Sequence, residues 1–163
     1  IRKYHREPID KDKLNRILNT ARLAPSAKNL QPWRIILVKD QKLRDGLVKA
    51  TKGQKFMATA PLAAVICVND EECYQDHGDY MSSFAVDGAI LMDHLSLAAR
   101  AEGLGTCWIG KFNEAEVKSL LDIPDSWRVV TLTPIGYPAE EGTFKGRKPL
   151  SEIVYYEKWG ESE

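Results

Sequence analysis

Ser26, Asn29 and Gln31 stand between Pro25 and Pro32 in the run Ala-Pro-Ser-Ala-Lys-Asn-Leu-Gln-Pro-Trp, residues 24–33. Their hydroxyl and amide groups both donate and accept hydrogen bonds. The prolines fix their own φ and push the residues before them away from helix. A stiff loop of this kind suits a flat heterocycle with polar edges, and equally a helix C-cap followed by a turn. Lys145-Gly146-Arg147-Lys148 sets a point charge and a planar fork on either side of a glycine. That pair can clamp a phosphate, although a solvated charge run is the plainer reading of so short a motif. Arg2 and Lys3, with Arg6 close by, form a second basic site. In Trp108-Ile109-Gly110 the glycine has no Cβ to hold a backbone N–H away from a ring.

No Ser/His/Asp arrangement, paired-carboxylate site or metal-ligand cluster is visible, so no side chain is nominated as catalytic and no metal is expected. Gly103–Gly110 is not a dinucleotide fingerprint, because no strand precedes it and no helix opens on it in the required order. A chain without an evident acid, base or nucleophile binds without reacting or leaves the reaction to a cofactor. Cys67, Cys73 and Cys107 are too scattered for a disulfide framework or a zinc site. Their usage suits a reducing cytoplasm.

These residues must be positioned by a folded core. Apolar spacing predicts a helix from about Asp10 to Leu23, capped by Asp10 and stopped by Pro25. A strand is expected over Arg34–Val38, a helix from Asp40 to about Lys52, and a central strand over the unbroken apolar run Leu62–Val68. Phe84–Ala101 is apolar on nearly every side, broken by Asp87, Asp93 and His94, and such a helix belongs in an interior or an extensive interface. Gly103 suits its left-handed C-cap. Cys107–Gly110 reads as extended, Asn113–Leu121 as a helix capped by Asn113, and Val129–Ile135 as a strand. Helices and strands mix without strict βαβ alternation, which predicts an α+β domain.

The 163 residues fit one domain, 1–163, with a substantial core. Lys+Arg and Asp+Glu both total 23, so charge gives no reason to expect nucleic acid or an anionic membrane as partner. No apolar run approaches a membrane span and no signal-peptide pattern is present. The chain opens at Ile1, which suggests that residues precede it.

Taken in order, these segments resemble the nitroreductase family of flavin-dependent oxidoreductases. The resemblance is carried by Ile1-Arg2-Lys3-Tyr4, by residues 24–33, by Asp87-Gly88-Ala89-Ile90 with Leu95–Ala99, by Gly103–Gly110, and by Gly136-Tyr137-Pro138 followed by Lys145–Leu150. It covers essentially the whole chain. It implies a central, mostly antiparallel sheet flanked by helices, with the long helix at the interface of an obligate homodimer. It also implies non-covalent FMN at that interface, with NADH or NADPH as co-substrate and a small-molecule acceptor such as a nitroaromatic, a quinone or a free flavin.

By the same resemblance Arg2, Lys145 and Arg147 contact the flavin phosphate, and Pro25, Ser26 and Asn29 reach the flavin of the partner subunit. Gln31 shares that motif. Trp108, Ile109 and Gly110 lie beside the reactive ring edge, with a backbone N–H near Ile109 or Gly110 bonding the ring. Gln54 meets the pyrimidine side. One departure is the absence of the Arg-Arg-Ser that usually stands just before the position of Ile1. Relatives specialised for dehalogenation or flavin fragmentation, and a non-catalytic flavin-binding protein, are the alternatives.

Overall fold

Strand β2 (Leu62–Asn69) is buried along its whole length, and its alternation sets the layers of the fold. The computed structural model describes residues 1–161. Leu62, Ala64, Ile66 and Val68 face one hydrophobic cluster, and Ala63, Val65 and Cys67 face another. A strand sandwiched in this way reads as an unbroken apolar run because both of its faces are covered.

Around β2 lies a four-stranded sheet in the order β1-β2-β4-β3. β1 (Trp33–Val38) and β4 (Trp127–Gly136) flank β2, and β3 (Gly105–Thr106) pairs with β4 at the edge, all antiparallel. Helices α1 (Lys11–Ala21) and α3 (Phe84–Ala101) cover the first face, with Leu14, Ile17, Leu91 and Leu95 inward. Helices α2 (Gln41–Ala50) and α4 (Glu114–Leu121) cover the second through Leu47 and Val117. The expected α+β class and antiparallel sheet are what the chain forms.

Caps fix the helix starts. The Asp10 carboxylate accepts from the Asp12 and Lys13 N–H groups, both at 3.0 Å, and Asn113 Oδ1 accepts from Glu116 N–H at 3.3 Å. The orphan amides of a first turn are satisfied in this way. Gly103 takes φ +78° just after α3, as the left-handed exit requires.

α3 is buried on one side only. Asp87, Gly88, Leu91, Met92, Leu95, Ala98 and Ala99 face inward, whereas Leu97 is 62% exposed. Its close approach to the sheet depends on Gly88. Between Ile66 and Cys67 the β2–β4 register shifts, leaving Val130 as the extra residue of a bulge. A Cβ on Gly88 would lie 2.7 Å from a Val130 methyl and 3.0 Å from a Val68 methyl, so only glycine lets the helix settle over the bulge.

Glu114 joins the second face to the sheet. Its carboxylate accepts from Val129 N–H at 2.9 Å and Arg128 Nε–H at 3.1 Å, with Lys118 Nζ at 3.9 Å. Burial alone would raise its pKa, but the Val129 and Arg128 bonds outweigh this and hold it below the ordinary glutamate value. A carboxyl with a depressed folded pKa contributes stability above its unfolded pKa, and that contribution is lost as pH falls through the folded value. Glu114→Gln is therefore expected to lower stability at pH 7 by about 1 kcal/mol, the solvent-screened worth of such bonds. The gap to the unaltered chain should close as pH falls below the ordinary carboxylate range, as read by urea unfolding across pH.

Candidate functional site

The first residues of the chain run beside the segment that leaves β4. His5 N–H donates to Tyr137 O at 2.9 Å, Ala139 N–H to Lys3 O at 2.9 Å, and Tyr4 bridges Pro138. The Tyr4 hydroxyl donates to Ile1 O. Burial, with Cys107 and Glu140 nearby, pushes its phenol above the ordinary tyrosine value, so it remains a neutral donor. This pairing sets Arg2 beside the start of the C-terminal arm.

A cavity of about 530 Å³ opens there, lined by Arg2, Lys145, Cys107, Glu140 and neighbouring residues. Two cations from opposite ends of the chain thus share one space. Glu140 and Glu141 lie in the same wall; the Glu140 carboxylate is engaged by Arg2 N–H at 2.6 Å and by Lys3 Nζ at 4.0 Å. Arg147 is placed differently. Its guanidinium stacks 5.6 Å from the Phe144 ring centroid and donates to Gly146 O at 2.7 Å, and it is absent from the cavity wall. The expected basic pair is therefore divided, with Lys145 in the cavity and Arg147 outside it.

The Arg2 guanidinium also lies 5.8 Å over the Phe56 ring, in the short helical turn Lys55–Ala58. Gln54 caps that turn and reaches across to donate from Nε2 to Lys111 O at 3.3 Å. Gln54 is thereby brought beside the Trp108–Gly110 segment. That segment continues β3 in the same register but as an interrupted strand: Thr106 pairs with Ile135, and Ile109 with Leu132. The interruption faces Pro134, which has no N–H to offer a ladder. Cys107 N–H turns instead to the Thr133 hydroxyl at 3.1 Å, and Trp108 stands 47% exposed.

The Ile109 N–H donates to Leu132 O at 2.9 Å, so it is not available to a ligand. Gly110 differs on both counts. Its N–H makes no hydrogen bond among the described residues, and a Cβ built there meets nothing within 4 Å. Of the two expected donors, Gly110 is the one left open.

The Pro25–Gln31 loop is built elsewhere. A single helical turn, Ala27–Asn29, follows extended Ser26. Gln31 N–H donates to Ser26 Oγ at 2.9 Å and Gln31 Nε2 to Asn29 O at 3.0 Å, so part of the polar chemistry is spent inside the loop. The Asn29 side-chain amide makes no hydrogen bond among the described residues. Lys28, Asn29 and Gln31 all hold φ between +50° and +56°, a conformation that costs on the order of 1 kcal/mol per non-glycine residue.

Asp87 holds that strained backbone in place. Its carboxylate, 1% exposed, accepts from Ala27 N–H at 3.0 Å and from the Ser83 hydroxyl at 2.7 Å. The sequence shows Asp87 only as a break in an apolar helix. An acidic residue in a first turn that is otherwise apolar was the available signal.

Loop and cavity lie at opposite ends of β2. Asn69 N–H donates to Pro32 O at 2.8 Å, whereas the Thr106–Ile135 pair beside the cavity sits opposite Leu62. From Leu62 to Val68 the strand spans about 20 Å. Within one chain the predicted residues are therefore spread along the strand: Arg2 and Lys145 lie toward the Leu62 end, Pro25, Ser26, Asn29 and Gln31 beyond the Asn69 end, and Trp108, Ile109, Gly110 and Gln54 between them, with Ile109 paired to Leu132 opposite Val65.

Among the described residues, no group of three or more His, Cys, Asp or Glu side chains is arranged to hold a metal ion, and no helix is long and apolar enough to cross a membrane. The profile of the Nitroreductase family matches residues 1–55 and 48–137. A protein from Thermus thermophilus described as NADH dehydrogenase is 30% identical over 96% of this chain and 90% of its own. The 5,6-dimethylbenzimidazole synthase of Rhodospirillum rubrum is 32% identical over 86% of this chain and 78% of its own. The solved structure of an FMN-dependent nitroreductase from Clostridium difficile superposes with a TM-score of 0.82 at 30% identity, covering 98% of this chain and 94% of that one.

Proposed function

Because the chain belongs to the nitroreductase family of oxidoreductases, we propose that it forms one FMN-binding domain and passes a hydride from NADH or NADPH to an acceptor such as a nitroaromatic or quinone. The observation that carries this reading is the division of the site. A cavity that holds Arg2 and Lys145 and a stiff polar loop, each suited to one part of a flavin, lie about 20 Å apart along one strand. A homodimer in which the loop of one chain meets the cavity of the other brings them together. The apolar surface left on one chain supports that assembly: Leu97 on α3 is 62% exposed, and Phe144, Leu150 and Trp159 on the arm are 78%, 73% and 91% exposed.

The residues fit FMN. Arg2 and Lys145 supply the charge for a phosphate, and the open space at Gly110 admits a flat ring edge. Bound FMN supplies two-electron chemistry as acceptor and donor of a hydride. The chain's part is positional. Arg2 and Lys145 anchor the phosphate, the Pro25–Gln31 loop of the second copy borders the ring, and Gln54 bonds its polar edge. Gly110 N–H would be the backbone donor offered to the ring, a preorganised dipole of the kind that stabilises developing negative charge. No side chain serves as general acid or base.

In this reading the nicotinamide and the acceptor occupy one place in turn. Steady-state rates with NADH or NADPH against a nitroaromatic or quinone are expected to give parallel double-reciprocal lines; intersecting lines would contradict this. Flavin fragmentation is the second reading, favoured by the 32% identity to the benzimidazole synthase. Loss of flavin absorbance with formation of dimethylbenzimidazole, in place of acceptor turnover, would select it.

A further inference from the structure

Among the described residues, Arg44 Nε is the buried side-chain donor that meets no acceptor. The residue is 7% exposed, and its other nitrogens bind neutral groups only: Nη1 donates to Lys39 O and Pro61 O, and Nη2 to Gln41 Oε1. Burial pushes the guanidinium below its ordinary value, against the pull of Asp45 and Asp40. Both carboxylates are turned to other partners. Asp45 accepts from Gln41 Nε2 at 2.9 Å, and Asp40 accepts from Leu43 N–H at 2.9 Å as the cap of α2. A buried cation without a counter-ion is an expensive feature to retain.

The same side chain lines a cavity of about 310 Å³ between α1 and the ends of β1 and β2. Arg6 and Lys39 are its other charged walls, no carboxylate lines it, and Ile9, Leu14 and Leu62 provide an apolar side. None of its lining residues is shared with the cavity of Arg2 and Lys145.

We propose that this cavity is a second, separate site that binds a small organic carboxylate with an apolar body. The carboxylate meets Arg6 and Lys39 in the field of the Arg44 charge, which lies behind them with its Nε closed off from the cavity and its Nη1 spent on Lys39 O and Pro61 O, and the hydrocarbon lies on Ile9, Leu14 and Leu62. The Arg6 guanidinium and the carboxylate match as planar fork and planar acceptor, and the apolar wall discriminates against a bare oxyanion.

The test uses the purified, flavin-loaded protein, with benzoate, acetate and inorganic phosphate compared with sodium chloride at equal ionic strength. Benzoate is expected to raise the melting temperature saturably and to bind at least tenfold more tightly than acetate or phosphate, leaving the visible flavin spectrum unchanged. Lys39→Met, and Arg6→Met with Lys39→Met, should weaken benzoate tenfold or more while keeping flavin content and turnover. Arg44 is left intact in these variants because it also ties Lys39 O to Pro61 O. The proposal is overturned by a response no greater than that to chloride, by phosphate binding in preference to benzoate, or by benzoate binding that persists in the variants.

Discussion

Arg2→Ala combined with Lys145→Ala is expected to weaken FMN binding by at least about 100-fold, leaving a chain that folds but loses its yellow colour on dialysis. Each cation offers a charge-assisted bond worth about 1.5–3 kcal/mol. Loss of two such bonds corresponds to about two decades of affinity or more. Stability should change little, because both residues are exposed and Lys145 makes no ion pair among the described residues. Arg147→Ala serves as the internal comparison. Its guanidinium lies on Phe144 outside the cavity, so its loss should cost FMN affinity distinctly less than loss of Lys145. Fluorescence titration of the apo-protein measures both effects, and equal losses for the two single variants would show that the arm is placed differently when the cofactor is bound.

The second large effect is expected at Asp87. Asp87→Ala strips acceptors from Ala27 N–H and from the Ser83 hydroxyl inside the protein. Each unsatisfied donor costs about 1–3 kcal/mol, so the expected loss in urea unfolding is about 2–4 kcal/mol. The loop also loses the tether that holds Lys28, Asn29 and Gln31 in left-handed backbone, and it should relax toward ordinary φ. FMN affinity is therefore expected to fall although Asp87 lies beneath the loop and does not itself face the site. Asp87→Asn keeps one carbonyl oxygen for Ala27 N–H and should recover most of the affinity. If FMN affinity stays unchanged in Asp87→Ala, the loop does not border the flavin.

Much of the fold was legible because it rests on local rules. The span Phe84–Ala101, the Asp10 and Asn113 caps and the buried run of β2 all follow from spacing and side-chain type. What escaped depends on contacts distant in sequence. The pairing of residues 3–5 with 137–139 leaves no pattern in either segment, yet it brings Arg2 to Lys145. Cys107–Gly110 reads as extended and is so, but only the opposing Pro134 decides where its ladder breaks and which N–H stays open. Alternation across Gly146 suggested that Lys145 and Arg147 act together, whereas the contact with Phe144 turns Arg147 aside. Asp87 looked like an interruption because a carboxylate that faces a loop amide and one that faces water have the same sequence signature.

One flavin site built from two chains can be restored by mixing two defective variants. One carries Ser26→Ala and Asn29→Ala in the loop, the other Arg2→Ala and Lys145→Ala in the cavity, so each homodimer has only impaired sites. After subunit exchange, half of the dimers are hybrids with one intact site, and FMN binding should return to about a quarter of the total sites. No recovery after verified exchange would place the loop and the cavity of a single chain around the same flavin, and would rule out a site shared between two chains.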